Sequence, residues 1–168
     1  MKPFIATLLV AVTLISTASA KKSTVDFTPF AGTYSGTYSL SGGPTYFAPV
    51  VVKVKVPKSG KSLTVIPSGV LTVTGTSYAL GGFLTLGPKK KAQLSSVYFI
   101  PSVIPTFGTG TFSGKKNHFS FAILSSVSNT SFATNGTLAF SKRGMNLTMV
   151  TNLFGTPVTI TITGRKKK

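Results

Sequence analysis

The chain has 168 residues, enough for one domain, with 18 lysines and arginines, one acid (Asp26), one histidine (His118) and no cysteine or tryptophan. That inventory excludes a disulfide framework, a paired-carboxylate hydrolase and an ordinary metal centre, because the donors are not there to supply one. The formal net charge of +17 attracts anions and leaves almost nothing with which to form internal ion pairs.

Residues 1–20 read as a secretory signal peptide. Lys2 precedes a mostly apolar run from Phe4 to Ile15, and Ala18-Ser19-Ala20 has the small residues of a cleavage site, followed by Lys21-Lys22. The apolar run is too short to cross the roughly 30 Å hydrocarbon core as an anchor. The expected mature chain is 21–168; losing Lys2 leaves 17 basic residues against Asp26, or +16. A secreted chain without disulfides must rely on its core, which is untypical of small animal secreted domains. The expectation is a bacterial secreted, periplasmic or envelope protein that does not span the membrane after cleavage.

The mature chain shows no sustained helical periodicity, and Thr, Ser, Val, Phe and Gly favour strands and turns. Residues 21–31 read as a flexible lead-in, 32–164 as one β domain and 165–168 as a basic tail. The first strand is expected over Gly32–Leu40 and the second over Tyr46–Val56. In the second, Val50, Val52, Val54 and Val56 share one face, with Val51, Lys53 and Lys55 on the other. Pro57 ends it, and Lys58-Ser59-Gly60-Lys61 makes a basic turn. A long third strand, Ser62–Thr76, keeps its parity across Pro67-Ser68-Gly69, which predicts a bulge or bend there and not a hairpin. Tyr78–Gly82 is expected to turn the chain into a short strand, Phe83–Leu86, followed by a basic turn at Lys89-Lys90-Lys91.

Further strands are expected over Ala92–Ile100, Phe107–Ser113, His118–Leu124, Ser131–Phe140, Met145–Met149 and Pro157–Thr163. Asn135-Gly136, inside the eighth of these ten strands, is itself a hairpin signal. Basic turns fall at Lys115-Lys116 and Lys142-Arg143, and Arg165-Lys166-Lys167-Lys168 ends the chain. In a meander, successive turns alternate between the ends of the sheet. Counting strands in order puts every basic turn, the basic tail and Lys21-Lys22 at one end. The turns at the other end carry no charge, and several are apolar (Tyr78, Leu80, Val103, Ile104, Leu153, Phe154).

The predicted fold is all-β: an antiparallel meander of about eight to ten strands closed into a small barrel, with a two-sheet sandwich as the alternative. Closure hides the apolar face and removes the exposed edges. The inward set contains Tyr34, Tyr38, Phe112, Phe121, Phe140, Met145 and Met149. The outward set of Thr, Ser, Lys and Asn does not match the apolar lipid face of an outer-membrane barrel. At Gly32-Thr33-Tyr34 the first strand resembles the start of lipocalin-like and avidin-like barrels, which carry Gly-x-Trp there. The resemblance covers one strand and implies a barrel that takes a small ligand.

No cofactor, metal or enzymatic constellation is expected: a triad would need Asp26, in the lead-in, to reach His118, which adjoins a wet turn. Two functions remain. In one, the pole formed by Lys58, Lys61, Lys89, Lys90, Lys91, Lys115, Lys116, Lys142, Arg143, Arg165 and Lys166 binds an anionic surface or polymer: cell-surface phosphates, acidic glycan or nucleic acid. In the other, the barrel carries a small apolar ligand, its mouth at the uncharged end. Charge that serves only solubility is the alternative to the first.

Overall fold

The structure is a computed structural model and describes residues 25–98, 104–127, 130–153 and 155–168. The expected signal peptide, Lys21-Lys22 and three of the expected uncharged turns in whole or part lie outside these residues. Eleven strands run β1 Gly32–Ser41, β2 Thr45–Lys55, β3 Leu63–Val73, β4 Thr76–Leu80, β5 Phe83–Leu86, β6 Lys91–Tyr98, β7 Ile104–Lys115, β8 His118–Val127, β9 Thr130–Phe140, β10 Gly144–Leu153 and β11 Thr156–Lys166. All pairings are antiparallel. The order β2-β1-β11-β10-β9-β8-β7-β6-β5-β3 is closed by β2–β3, making a ten-stranded barrel with β4 as an extra strand. A barrel, not a sandwich, is therefore the solution the chain adopts.

The pairing that joins the chain's two ends is β1–β11, with Tyr34 opposite Lys166 and Leu40 opposite Ile160. Apart from β3–β5, every other neighbour in the barrel is a sequence neighbour, as in a meander. Alternation decides which face is inside: Val50, Val52 and Val54 are buried, while Lys53 and Lys55 are exposed. All seven residues expected inside (Tyr34, Tyr38, Phe112, Phe121, Phe140, Met145, Met149) are at most 7 % exposed.

Three local expectations are corrected. Pro67-Ser68-Gly69 stays inside one strand and makes no hairpin, as expected, but it is not a bulge either, since Val52, Val51 and Val50 pair with it in unbroken register. The interruption lies on the other side of β3. Gly69 pairs with Leu80 and Val65 with Leu84, so β4 and β5 follow one register along β3, separated at Gly81-Gly82 opposite Pro67 and Ser68. Proline cannot complete the ladder on both sides, and the break falls where it stands. The turn expected at Tyr78–Gly82 is instead at Thr74-Gly75, where both residues have positive φ (48° and 81°), the demand of a tight hairpin. Because β4 and β5 together run in one direction, the alternation of ends survives this error. Third, Arg165 and Lys166 are not tail: they pair with Ser35 and Tyr34 in β1.

Strand closure at this curvature needs missing side chains. A β-carbon on Gly110 would stand 1.9 Å from the Ala122 carbonyl oxygen of the neighbouring strand. Only glycine permits that approach.

The lead-in also differs from expectation over Val25–Ala31. A 3-10 turn, Thr28–Phe30, seals one end of the barrel. Phe27 is 1 % exposed and packs against Phe112 and Phe119 at centroid distances of 6.2 and 5.3 Å. The Tyr34 hydroxyl donates to the Phe30 carbonyl at 2.9 Å, and the Phe27 amide donates to Gly60 at 2.9 Å. Burying two aromatic rings offsets the entropy of ordering seven residues that sequence polarity alone marks as loose.

Candidate anion-binding pole

The end that the plug seals is the end at which the cations gather. The register carries this round the barrel: Gly32 of β1 lies opposite Val54, Lys55 opposite Thr64, Leu63 opposite Leu86, and Leu86 opposite Ala92. It continues with Lys91 opposite Thr111, Lys115 opposite His118, His118 opposite Ala139, Met145 opposite Phe140, and Gly144 opposite Arg165. The turns bearing Lys58 and Lys61, Lys89–Lys91, Lys115 and Lys116, and Lys142 and Arg143 therefore share one rim with Arg165 and Lys166. All eleven side chains are exposed. Lys167 and Lys168 continue from the same rim. Lys53 and Lys55 lie on the outer wall of β2 and point sideways from it.

The base under these cations is firmly tied. Three of the turns are hydrogen-bonded to a neighbouring element through their backbone, Phe27 N–H to Gly60, Phe140 N–H to Asn117 and Lys166 N–H to Arg143, and Lys167 N–H bonds to Thr33, all at 2.8–2.9 Å; the Lys89–Lys91 and Lys142–Arg143 turns are also closed internally, by Gly87 N–H to Lys91 and Ser141 N–H to Gly144. The Asn117 side-chain amide also donates to the Phe140 carbonyl. Lys166 Nζ donates to the Pro29 carbonyl at 3.1 Å and lies 5.9 Å from the Tyr34 ring centroid, clamping the plug. The turn chains are held, while the other long basic side chains reach into water.

Asp26, the single acid, sits beside this rim next to Gly60. Its carboxylate accepts the Thr28 N–H at 2.9 Å, and that bond draws its pKa below the ordinary aspartate value. Two unit charges about 10 Å apart in water repel by only about 0.4 kcal/mol before salt screening, so a crowded cationic rim is tolerable. An arriving polyanion meets all of the charges at once.

His118 is exposed at the start of β8, opposite Lys115, as its position beside a wet turn suggests. Among the described residues no three His, Asp or Glu side chains converge.

Among the described residues the inward side chains are closely packed: a cavity between Tyr38, Leu94, Leu147, Met149, Ile160 and Ile162 measures about 20 Å³, room for about one water molecule. Sequence reasoning left that volume open, because strand number sets the circumference while the inward side chains set what remains. A larger, open groove of about 530 Å³ runs along the outer wall of β7–β10 past Thr111, Ser120, Asn135, Thr137, Thr148 and Val150, and carries no charge. The element that the sequence analysis missed is the plug itself. The Phe27-x-x-Phe30 spacing beside Pro29 was its one signal.

No family model matches the chain, and no curated protein matches it in sequence. The fold places it among closed antiparallel β-barrels.

Proposed function

We propose that the protein is an exported, non-enzymatic barrel that binds an anionic partner through its lysine-rich pole. The observation that carries this reading is the gathering of Lys58, Lys61, Lys89–Lys91, Lys115, Lys116, Lys142, Arg143, Arg165 and Lys166 on one rim. Charge kept for solubility alone would do its work better spread over both ends. The rim instead concentrates the field on one face and leaves the opposite turns neutral. A cavity of about 20 Å³ between the described inward side chains is too small for an organic ligand, which favours the pole over small-ligand carriage as the reading to test first.

The test is binding of the mature chain to heparin and to a polyphosphate, followed by calorimetry across a salt series. The reading expects micromolar or tighter binding whose logarithm falls linearly with log salt, each lost lysine–phosphate contact reducing the slope by about 0.7–0.9. Retention indifferent to salt, or no binding at low salt, overturns it.

A further inference from the structure

The rim's shape narrows the class of anion, given the reading above. Going round the barrel, a basic cluster stands at every second strand: β2–β3, β5–β6, β7–β8, β9–β10, and the β11 end beside β1. With strands about 4.8 Å apart, the clusters follow one another at about 10 Å on a ring about 20 Å across. The middle of the ring is not a hole, because the Val25–Ala31 segment fills it and buries Phe27. The cations therefore encircle a closed face and line no trough. A linear polyanion laid over such a ring touches two short arcs of it. A plane of phosphates touches all five clusters together.

A second, independent observation comes from the backbone. Lys89, Lys90 and Lys116 have φ of 57°, 58° and 57°, the left-handed region that a β-carbon disfavours. Glycine takes positive φ at both ends: Gly60 and Gly114 at the basic end, at 65° and 126°, and Gly43, Gly75 and Gly155 at the opposite end, at 122°, 81° and 86°. Of the non-glycine residues with positive φ among the described residues, Thr74 alone lies at the opposite end, and the other three are lysines of basic turns. Two of the basic turns thus hold a cation at a strained backbone position, where strain retained against the β-carbon points to a functional demand.

We propose that the pole docks face-on against a planar layer of anionic lipid phosphates, with Lys89, Lys90 and Lys116 as its outermost contacts. The barrel axis then stands along the membrane normal, and nothing inserts: the rim is charged and the plug between its clusters presents Thr28 and Pro29 to water.

The experiment is co-sedimentation of the mature chain with vesicles of phosphatidylglycerol in phosphatidylcholine, against phosphatidylcholine alone. Heparin and a single-stranded oligonucleotide are titrated in parallel. The expected result is binding to the anionic vesicles only. The K89G/K90G/K116G variant should lose vesicle affinity by about a hundredfold, as for three lysines near an anionic surface. Its melting temperature should rise, since glycine relieves the strain. K53Q/K55Q, on the outer wall, should change vesicle affinity less than about threefold. Should the triple variant fail to fold, K90G and K116G singly carry the comparison, each with about a fivefold loss. Vesicle binding equal to the parent in these variants overturns the assignment of the tips. Binding of heparin or oligonucleotide without vesicles overturns the planar-lipid proposal but keeps the polyanion reading. Binding to none of the three overturns both.

Discussion

Phe30 lies flat against Phe140, with ring centroids 4.3 Å apart and planes 7° from parallel. The stack joins the plug to the end of β9, immediately before the Lys142–Arg143 turn. The aromatic cluster beneath the rim is thus the platform that holds the cationic turns in place. Phe119 completes it, with its ring edge-on to Phe30 at 6.1 Å.

Removing that platform should loosen the pole before it unfolds the barrel. Phe30 is only partly buried, so Phe30→Ala is expected to cost about 2 kcal/mol, and Phe27→Ala, from a fully buried site, about 3–5 kcal/mol. Urea denaturation measures both. Hydrogen exchange should show the Phe30→Ala loss concentrated in the 25–31 segment and at the Gly60 carbonyl's partner, the Phe27 amide.

The glycines Gly110 and Gly81 divide sharply by what surrounds them. Gly110→Ala places a methyl 1.9 Å from a backbone carbonyl that cannot step aside, and should cost about 3 kcal/mol or more. Gly81 has open space around its missing β-carbon, so Gly81→Ala should be neutral or stabilise by up to about 1 kcal/mol. Thermal melts of the two variants give the comparison.

Near the uncharged end, the Thr134 and Thr151 hydroxyls are 2.6 Å apart and both residues are buried. Thr134→Val alone should cost about 1–2 kcal/mol by disturbing a buried pair. Replacing both with valine should cost less than the sum of the single changes, the result a double-mutant cycle reads as a direct coupling.

Burial raises the Tyr34 phenol above its ordinary pKa. A folded-state value above the unfolded one means that the neutral phenol's contribution is complete below about pH 10. It is lost as pH rises through the folded value. Asp26 has the opposite sign: its lowered carboxyl supports the fold above the ordinary aspartate value and stops doing so in strong acid. Neither group titrates between about pH 5 and 9. Tyr34→Phe should therefore remove part of the alkaline loss in stability, while costing about 1 kcal/mol at neutral pH through the missing bond to Phe30. Chemical denaturation at pH 7 and above pH 10 distinguishes the two effects.

Much of this architecture was legible in the residues. Alternation of valine with lysine in β2, or of Phe119, Phe121 and Ile123 with serine and alanine in β8, is a local signal that no distant contact needs to supply. Lysines beside Gly or Asn marked four of the turns for the same reason. The plug was not legible. Val25–Ala31 has no period, and its order comes from Phe112, Phe119 and Phe140, which lie far away in sequence. The hairpin at Thr74-Gly75 was missed because the Gly81-Gly82 break looked like the stronger turn signal, while its actual cause, Pro67, sits on the facing strand.

Composition and periodicity by themselves determined an all-β chain, an inward apolar set and cations gathered mostly in and beside turns, because each depends on residues within a few positions of one another. Only the tertiary structure decided that the sheet closes, that its described inward side chains pack closely and that its basic end is sealed. Those outcomes depend on pairing Tyr34 with Lys166 across almost the whole domain and on how bulky side chains from ten strands share one enclosed volume. No window of sequence contains that sum.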